Sequence, residues 1–431
     1  MTTLLVCTVC CFWAGGAGAA DAIPGEEFCN RPVDNIVFSG NNVTKPQVML
    51  RELNQQQGQP CSIDDIVDST QGVMDLGLFK SVLADLSLVD DQLQLRFTVV
   101  EKLYYLVIPR ISRTSDGEIR GGAQLRLDNF LGRLHQVKIT SEKRKEDDGD
   151  GPGGFVHKLN YNIPRFFGSN HGFGFNVFTD RRQQELSKDR IEFGMAQSET
   201  EGISMQFSRW LNSTRGVQGV RYYFGFDLRR RTLSPLSGEL GPFQGGRDSV
   251  LIVGMETKQI HRDLYRRRGT VYGAQFSFAN ESTGSDFEYS RADFFATFYL
   301  PLSGAIRNLN VQSRIGFSNG SAFGESSYHI GGGEVLRGMQ PNRRGGDVLA
   351  LVNIEYLQGW FTRPAWRWAV FSDIGNVYQR NRINLAKLHA RAGVGLRWKF
   401  ESLSNTDLRL DVAWDPELDK AKVYFSSNLT F

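Results

Sequence analysis

The sequence predicts a membrane protein built mostly of strands, a sixteen-stranded transmembrane antiparallel β-barrel that follows one small α/β domain. Three observations predict this fold class. Alternating apolar segments of roughly ten residues fill the chain from about residue 103 onward. Helical periodicity is confined to the stretch before that point. Beyond the N-terminus, no stretch reaches the ~18 apolar residues that a membrane-spanning helix needs.

Composition is consistent with a large sheet. The 431 residues include 46 glycines and 30 phenylalanines but only 13 prolines. Lysine and arginine number 50 and aspartate and glutamate 47, so the net charge is 50 − 47 = +3. A nearly balanced charge argues against nucleic acid as the main partner, because nucleic-acid-binding proteins carry a strong basic excess.

Residues 1–20 read as a secretory signal peptide, since the apolar run Leu4–Trp13 is followed by the small residues Ala14–Ala20. A membrane anchor is the alternative, and the apolar run is short for one. Three of the five cysteines lie in this segment, which leaves Cys29 and Cys61. An isolated pair in an oxidising compartment favours a disulfide, and two buried thiols are the alternative.

Residues 21–102 are predicted to form the small α/β domain, in the order strand, helix, helix, strand, strand. Each helix begins with a capping-box pattern, in which the first polar residue is followed by another three positions later. The predicted elements are the strand Val33–Phe38, helices capped at Thr44 and Ser62, and the alternating strands Val82–Leu88 and Leu93–Val99.

Residues 103–431 are predicted to form the barrel. A count of alternating segments gives seventeen, with the ambiguity at Ile191–Trp210. Because both barrel ends must lie on the same side, the number should be even, and we expect about sixteen strands, from Leu103–Ile111 to Val423–Phe431. The long connections, predicted to be extracellular, are Glu142–Gly154, Arg231–Arg247 and Asn319–Gly346; the short ones, predicted to be periplasmic, are Pro164–Asn170 and Ser303–Asn308.

Parity along the predicted strands separates a polar inner face from an apolar outer face. Arg397 and Lys399 alternate with Leu396 and Trp398, so the two basic residues are expected to face the lumen. The chain ends in Phe431, which is typical of the targeting signal of outer-membrane barrels. A soluble sandwich whose last strand happens to end in phenylalanine is the alternative.

Four short motifs lie in order along the predicted barrel. Asp128–Gly132 fits a DNxxG turn, and Leu336–Met339 is similar to (V/I)RG(F/Y) in the long loop before Val348. Phe371–Gly375 fits F-x-D-x-G within a strand, and Gly393–Trp398 is a glycine-rich penultimate region. In this order and spacing the four motifs resemble the BamA/TamA superfamily of outer-membrane insertases and transporters. The first domain resembles a POTRA module, present here once where the insertases carry several.

The resemblance implies that the loop 319–346 folds back into the lumen, where acidic residues at two motif positions hold its arginine. Parity places Glu355 and Asp373 on inward faces, so an Arg337–Glu355–Asp373 cluster is predicted. The motif glycines Gly338 and Gly375 belong to the same predicted site, and Met339 stands where the family has an aromatic. The alternative is that Arg337 is a solvated loop residue.

The family's function is protein assembly or transport without covalent chemistry. The resemblance implies that the POTRA domain captures client chains and that a weakly paired seam between the first and last strands templates their insertion. Expected partners are unfolded outer-membrane or secreted client proteins and the lipids of a Gram-negative outer membrane; a monomer is one option. A passive or single-substrate pore and a two-partner-secretion transporter are the alternatives. The seam residues are predicted to be Tyr104, Tyr105, Leu106, Pro109, Val423, Phe425, Leu429 and Phe431.

No catalytic residue, metal or cofactor is predicted, and the chain is not expected to be an enzyme. The pattern Gly316–Gly320 fits G-x-S-x-G, but that chemistry needs a strand-to-helix elbow, and a glycine-rich loop follows here. The six histidines are scattered without the spacing of metal ligands.

Overall fold

The structure is a computed structural model. It describes residues 23–113, 119–145, 153–188, 191–211, 218–303, 306–340, 344–360, 363–384, 386–404 and 407–426. The predicted signal peptide, residues 1–20, lies outside the described residues, as do Leu429 and Phe431 of the predicted last strand.

The N-terminal domain contains a three-stranded sheet and two helices. In the sheet the order is β1-β3-β2, with β1 parallel to β3 and β2 antiparallel to it. The described residues contain no helix long and apolar enough to cross a membrane. The elements are β1 (Asn35–Ser39), α1 (Pro46–Leu50), α2 (Ile63–Asp75), β2 (Phe79–Val89) and β3 (Gln92–Glu101), after a short 3₁₀ turn at Glu26–Phe28.

The core of this domain lies between the two helices and one face of the sheet. Ile66 and Val73 of α2 are fully buried, as are Leu93 and Phe97 of β3. Alternate residues of β3 are exposed, as period-two alternation requires when only one face is covered. The predicted order of elements is therefore the observed one.

One predicted helix cap is correct and the other is wrong. The hydroxyl of Ser62 accepts a hydrogen bond from the Asp65 amide at 3.2 Å, as expected at the start of α2. Thr44 does not cap α1, which has Lys45 as its N-cap residue and no side-chain cap. The Thr44 hydroxyl is instead within hydrogen-bonding distance of the Tyr104 hydroxyl, because the two domains meet at this point.

Cys29 and Cys61 form a disulfide, with their Cα atoms 5.2 Å apart. The bond closes a loop with a sequence separation of 32 residues. Replacing both cysteines with alanine is expected to lower the free energy of unfolding of the N-terminal domain by about 2–4 kcal/mol, because the unfolded chain regains the freedom that the closed loop removed. Hydrogen exchange of residues 35–101 in the full chain measures this loss. As the control, a reducing agent should reproduce the loss in the native chain and have no further effect on the double variant.

Between residues 105 and 426 the described chain forms a sixteen-stranded sheet in which every strand pairs antiparallel with the strand before and after it in the sheet. The predicted strand number is confirmed. The strands are β4 (Tyr105–Arg113), β5 (Ile119–Phe130), β6 (His135–Lys145), β7 (Gly154–Ile163), β8 (His171–Lys188), β9 (Ile191–Trp210), β10 (Gly219–Gly238), β11 (Gly246–Arg262), β12 (Arg267–Ala279), β13 (Tyr289–Leu302), β14 (Arg307–Asn319), β17 (Val348–Trp360), β18 (Arg363–Tyr378), β19 (His389–Lys399), β20 (Asp407–Asp415) and β21 (Lys420–Ser426). Two short strands between β14 and β17, β15 (Tyr328–Ile330) and β16 (Arg344–Gly346), pair with each other in a separate sheet.

Two details of the strand prediction change. The ambiguous stretch Ile191–Trp210 is one strand, β9, which accounts for the extra segment in the count. The long loop predicted at Arg231–Arg247 is wrong, because β10 continues to Gly238 by pairing with β9 as far as Gly194. At 20 residues each, β9 and β10 are longer than the roughly 9–11 residues that a transmembrane strand needs.

The two faces of the sheet differ in polarity. Large apolar side chains such as Met255, Phe276 and Val394 are exposed on the outer face. The inner face carries buried polar side chains, among them Asn310 and Asn353. Alternation of this kind is what a sheet between lipid and a polar interior requires.

The sheet curls back on itself at the end nearest the N-terminal domain. The Leu103 amide donates to the Ser402 carbonyl at 2.8 Å, and the Ser404 amide donates to the Leu103 carbonyl at 3.0 Å. Leu103 precedes the first strand of the sheet, whereas Ser402 and Ser404 belong to the turn between β19 and β20. The first strand therefore begins beside the closing strands.

Candidate functional site

The loop between β14 and β17 lies against the inner face of the sheet. It contains a two-stranded ribbon, β15 (Tyr328–Ile330) and β16 (Arg344–Gly346). Leu336 is fully buried and Arg337 is 2% exposed. A guanidinium that is almost completely removed from water must be paired, since an isolated buried charge costs several kcal/mol.

Asp373 of β18 is the main partner of Arg337. The Nε of Arg337 lies 2.6 Å from one carboxylate oxygen of Asp373, and its second terminal nitrogen lies 2.7 Å from the other. The backbone amide of Arg337 donates to the same carboxylate at 3.0 Å. Three donors from one residue converge on Asp373, which fixes both the side chain and the backbone of the loop at this point.

The cluster extends to the strands on either side of β18. The remaining terminal nitrogen of Arg337 lies 3.1 Å from Asp411 of β20 and 3.8 Å from Glu355 of β17. Arg397 of β19 bonds Glu355 and lies 2.6 Å from Asp411, while Arg409 lies 2.5 Å from Asp411. Three arginines thus face three carboxylates, and the charge of this cluster, called here the lock cluster, sums to 3 − 3 = 0.

The local electrostatics keep Arg337 charged. Burial by itself lowers the pKa of Arg337, but the hydrogen bond and charge of Asp373, together with Glu355 and Asp411, raise it by more. The pKa of Arg337 therefore lies above its ordinary value. The face of the guanidinium lies over the ring of Phe371, with its central carbon 3.5 Å from the ring centroid.

Gly338 brings the loop backbone against the last two strands. Its φ of 89° is in the left-handed region, and a Cβ at this position would lie 2.7 Å from the carbonyl oxygen of Trp414. The Gly338 amide donates to the hydroxyl of Tyr424 in β21 at 2.9 Å. Asn353 adds a contact from β17, since its amide nitrogen donates to the Val335 carbonyl at 2.9 Å.

Met339 and Gly375 have packing roles. Met339 is buried in an apolar cluster with neighbours such as Leu336 and Leu351. The stacking partner of Arg337 is Phe371 of the neighbouring strand, so an aromatic residue at position 339 is not needed for that contact. Gly375 leaves room for Leu351, because a Cβ there would lie 2.8 Å from the Leu351 side chain.

The structure brings Arg337, Glu355 and Asp373 together, and it adds residues that the sequence reasoning missed. Asp411 and Arg409 are buried on the inner face of β20, and Tyr424 reaches the loop from β21. Strand parity contains the signal for Asp411 and Arg409, since both alternate with exposed Leu410 and Val412. Parity alone does not show which inward residues come within reach of the loop.

The predicted seam residues of the described chain divide into two groups. Tyr105, Leu106 and Pro109 lie in β4, and Val423 and Phe425 lie in β21. The backbone pairings among the described residues include none between β4 and β21, which are the two ends of the sheet order. Pro109 is exposed in β4, as is common for proline on an edge strand.

Tyr104 belongs to the domain junction instead of the seam. It precedes β4, is 7% exposed, and places its hydroxyl 3.2 Å from that of Thr44 in the N-terminal domain. The Asn129 side chain donates to the same Thr44 hydroxyl at 2.9 Å. The turn Asp128–Gly132, singled out in the sequence for its DNxxG pattern, therefore contacts the N-terminal domain.

The G-x-S-x-G pattern does not form a nucleophile elbow. Ser318 lies in β14, and the next element in the described chain is the short strand β15 instead of a helix. Its hydroxyl donates to the Gly320 carbonyl at 2.8 Å and contacts the Ser327 hydroxyl. Within the described ranges, no group of three or more histidine, cysteine or acidic residues is arranged to hold a metal ion.

Comparison with known families gives two matches. A profile of the Omp85 superfamily domain matches residues 129–431. A POTRA profile, described as a surface antigen variable number repeat, matches residues 32–102. The first match covers more than half of the chain, and together the two matches span the sixteen-stranded sheet and the N-terminal domain.

Solved structures with the same fold include BamA and CdiB. The crystal structure of BamA from Haemophilus ducreyi lacking POTRA domains 1–3 aligns with a TM-score of 0.54 at 17% identity, over 92% of this chain and 84% of that chain. CdiB from Acinetobacter baumannii aligns with 0.59 at 13% identity, over 92% and 73%. CdiB from Escherichia coli aligns with 0.66 at 12% identity, over 92% and 76%. At these identities the similarity is one of fold.

Proposed function

This chain belongs to the Omp85 superfamily, and on that premise we propose that it inserts client proteins into the outer membrane of a Gram-negative bacterium or moves them across it. In this proposal the sheet spans the membrane as a barrel and the POTRA domain lies in the periplasm. The clients are unfolded outer-membrane or secreted proteins. The outward apolar side chains contact lipid, and no covalent chemistry is required.

The observation that carries the proposal is the exposure of the two end strands. Among the outer-face residues of the described sheet, Tyr105 and Val107 of β4 are 64% and 66% exposed, and Val423 and Phe425 of β21 are 66% and 68% exposed. Outer-face residues on interior strands, which have a neighbouring strand on both sides, are less exposed, with Val394 of β19 and Phe224 of β10 among the highest at 58%. An edge strand presents unpaired amides and carbonyls, which is the template that an incoming strand needs.

The lock cluster supports this reading because it holds the closing side of the sheet in place. It ties the loop to β17, β18 and β20 through Glu355, Asp373 and Asp411, and Gly338 adds a bond to β21. An edge that opens for a client needs a rigid neighbourhood, since otherwise the whole sheet would loosen. The loop also occupies part of the interior, which argues against an open pore as the only function.

The POTRA domain offers a second edge for capturing clients. On β2, the Leu86 amide points away from β3, because it donates to the Pro24 carbonyl at 2.8 Å. The N-terminal segment therefore occupies the outward hydrogen-bonding position of Leu86 on this edge. By strand parity the amides of Val82 and Ala84 point the same way. In the described chain β2 pairs only with β3, so the amides of Val82 and Ala84 are available to an extended client.

Proteoliposomes test the function directly. The full chain is reconstituted, and a chaperone-held client barrel is added from outside. Insertion appears as protease-resistant folded client, and translocation as client protected inside the vesicle. The proposal expects the rate of insertion or of translocation to exceed the rate with empty liposomes by about tenfold or more. This corresponds to an activation free energy that is lower by ~1.4 kcal/mol or more. Ion conductance without either signal would support the passive pore and overturn the proposal.

Replacing Ala84 with proline is expected to weaken client capture by the POTRA domain about fivefold to tenfold, because one outward donor is lost, worth about 1 kcal/mol. Proline is tolerated on a free edge, so the domain should remain folded. The affinity is measured by the binding of a soluble peptide, which contains the client's last strand, to surface-immobilised full chain. Ala84→Val is the matched control, since it keeps the amide. Equal affinity of the proline and valine variants would show that the client does not use this edge.

A further inference from the structure

A small cavity lies where the POTRA domain meets the nearest turns of the sheet. Its volume is about 50 Å³. The walls come from the end of α2 at Met74 and Gly77, from the linker after β3, from the turn between β11 and β12, and from inward residues of the sheet. Basic side chains dominate this lining: Lys102, Arg262, Arg266, Arg267, Arg367 and Lys399.

The cavity carries an excess of positive charge. Its acidic side chains are Asp263 and Asp407, so the lining sums to 6 − 2 = +4. Lys399 lies 3.3 Å from Asp407, which satisfies one of the basic residues. Arg266 lies 3.5 Å from Asp263, in a pair whose members are both more than one third exposed.

Two buried cations of the lining donate to backbone carbonyls. Lys102 is 9% exposed and donates to the Gly77 carbonyl at 3.2 Å, where it complements the C-terminal end of α2. Arg367 is 7% exposed and donates to the Tyr265 carbonyl at 2.9 Å. The carbonyl dipoles and the nearby charge of Asp407, which also pairs with Lys399, offset only part of these buried charges, so both cations gain from a further anion beside them.

The ionisation of Lys102 reflects this environment. Burial above all, together with the nearby charges of Lys399, Arg262 and Arg267 and against an opposing contribution from Asp407, lowers the pKa of Lys102 to about 7. An anion that binds beside Lys102 would favour its charged form, because an opposite charge nearby raises the pKa of a lysine.

We propose that this cavity binds a phosphate-type oxyanion, either free or as the headgroup of a lipid. The volume accommodates a few water-sized groups, which is room for one tetrahedral oxyanion. Guanidinium groups bind such oxyanions through paired N–H donors, and four of the six cations are arginines.

The bound oxyanion would join the two domains. Lys102 lies on the linker that leaves the POTRA domain, whereas Arg367 lies on β18. One anion that contacts both would strengthen the docking of the POTRA domain under the sheet, and its binding free energy would add to the stability of the docked state. The concentration of phosphate or the composition of the inner lipid leaflet would then set how firmly the POTRA domain is held.

Isothermal titration of the purified full chain in a non-ionic detergent with inorganic phosphate tests the proposal. The native chain should bind phosphate at one site. Lys102→Gln and Arg367→Gln should each weaken binding by about tenfold or more, since each removes a charge-assisted hydrogen bond. Arg363→Gln is the matched control, because Arg363 is an exposed arginine on the same strand as Arg367. Its affinity should equal that of the native chain.

A measurement on the native chain keeps the proposal testable if the variants do not fold. Acetylation of lysines by a water-soluble reagent, mapped by mass spectrometry, should be slowed at Lys102 by phosphate and unchanged at the exposed Lys45. No protection of Lys102, together with no phosphate binding, would overturn the proposal. Phosphate binding that both variants retain would overturn it as well, since the anion would then lie elsewhere.

Competition separates the two sources of the oxyanion. If the site takes a lipid headgroup with its acyl chains outside, dihexanoyl phosphatidic acid should displace bound phosphate at a lower concentration than added free phosphate does. Dihexanoyl glycerol, which lacks the phosphate, controls for the acyl chains. Displacement by the phosphatidic acid alone supports a lipid source, and failure of both to displace supports free phosphate. Displacement by dihexanoyl glycerol would show that acyl chains suffice and would contradict recognition of an oxyanion.

Discussion

Replacing Arg337 with alanine is expected to lower the free energy of unfolding of the sheet by roughly 3–5 kcal/mol, because it leaves buried carboxylates without their cation. Asp373 and Asp411 are both fully buried, and Arg337 donates to each of them. Without Arg337 the lock cluster would sum to 2 − 3 = −1 in a site that water does not reach. Urea titration of the full chain in lipid vesicles, followed by tryptophan fluorescence, measures the loss.

The same substitution should release the loop locally. Limited proteolysis at Arg344, on β16 of the loop ribbon, should become faster in the Arg337→Ala chain, whereas the native chain should be protected there. Arg380→Ala is the matched control, since Arg380 is an exposed arginine in the turn after β18, and its effect should stay within about 0.5 kcal/mol. Equal stability and equal protection in the Arg337 and Arg380 variants would contradict an anchoring role.

A double-mutant cycle separates the Arg337–Asp373 contact from a general loss of packing. Asp373→Ala by itself should also destabilise the sheet, because Arg337 then keeps only Asp411 and the more distant Glu355. The double variant should lose less than the sum of the two single losses, with a coupling of about 1–3 kcal/mol. Arg337→Lys should restore only part of the stability, since an ammonium cannot form the paired contacts that the guanidinium makes with Asp373.

Locking the first strand to the last is expected to abolish client insertion while the fold and any conductance persist. Because β4 begins and β21 ends at the same end of the antiparallel sheet, cysteines at Tyr105 and Phe425, which lie near those two ends, place a thiol on each side of the seam. A short thiol-reactive cross-linker then covers the edge that a client must pair with. The rate of insertion in proteoliposomes should fall by about tenfold or more, which corresponds to an activation free energy that is higher by ~1.4 kcal/mol or more.

The matched control for the seam cross-link joins two strands that are already paired. Val412 of β20 lies opposite Val423 of β21 in the observed register, so cysteines at these positions can be linked without covering an open edge. This link should leave insertion unchanged, as should the reagent on each single-cysteine chain. Full insertion by the chain linked across the seam would contradict the hypothesis that the seam templates client strands. An equal loss in both linked chains would show that any cross-link slows insertion by making the sheet more rigid.

The lock cluster explains why a loop arginine can be buried at all. Its three arginines and three carboxylates come from the loop and from four neighbouring strands, and every charge has an opposite one within 3.1 Å or less, apart from the longer Arg337–Glu355 pair. A buried network of this kind adds little stability compared with apolar packing, but it strongly penalises any displaced arrangement. It therefore defines one position for the loop relative to the closing strands.

The faces of the strands could be predicted because they depend on local alternation, whereas the strand number also needed the requirement that both barrel ends lie on the same side. Leu396 and Arg397, one residue apart, must point to opposite faces of any strand that contains them. The same reasoning assigned Glu355 and Asp373 to the inner face. It failed at Arg231–Arg247, where pairing with β9 extends β10 through a polar stretch that reads as a loop.

Contacts between distant segments could not be predicted in the same way. Thr44 has the local pattern of a helix cap, yet its hydroxyl is taken by Tyr104 and Asn129 from the other domain. Tyr104 has the pattern of a strand residue near the seam, but docking of the two domains buries it. In both cases the side-chain hydroxyl forms a contact with the other domain, and this contact replaces the local role that the sequence pattern suggests.

By itself the sequence determined the fold class, the inward position of the two acidic residues and the pair of cysteines, because alternation, motif spacing and composition are local properties of the chain. Only the tertiary structure decided which charges meet. Asp411 is separated from Arg337 by 74 positions, and the +4 cavity draws on α2, the linker and several strands. Electrostatic interactions depend on distance in space, and that distance is known only after the sheet has curled and the domains have docked.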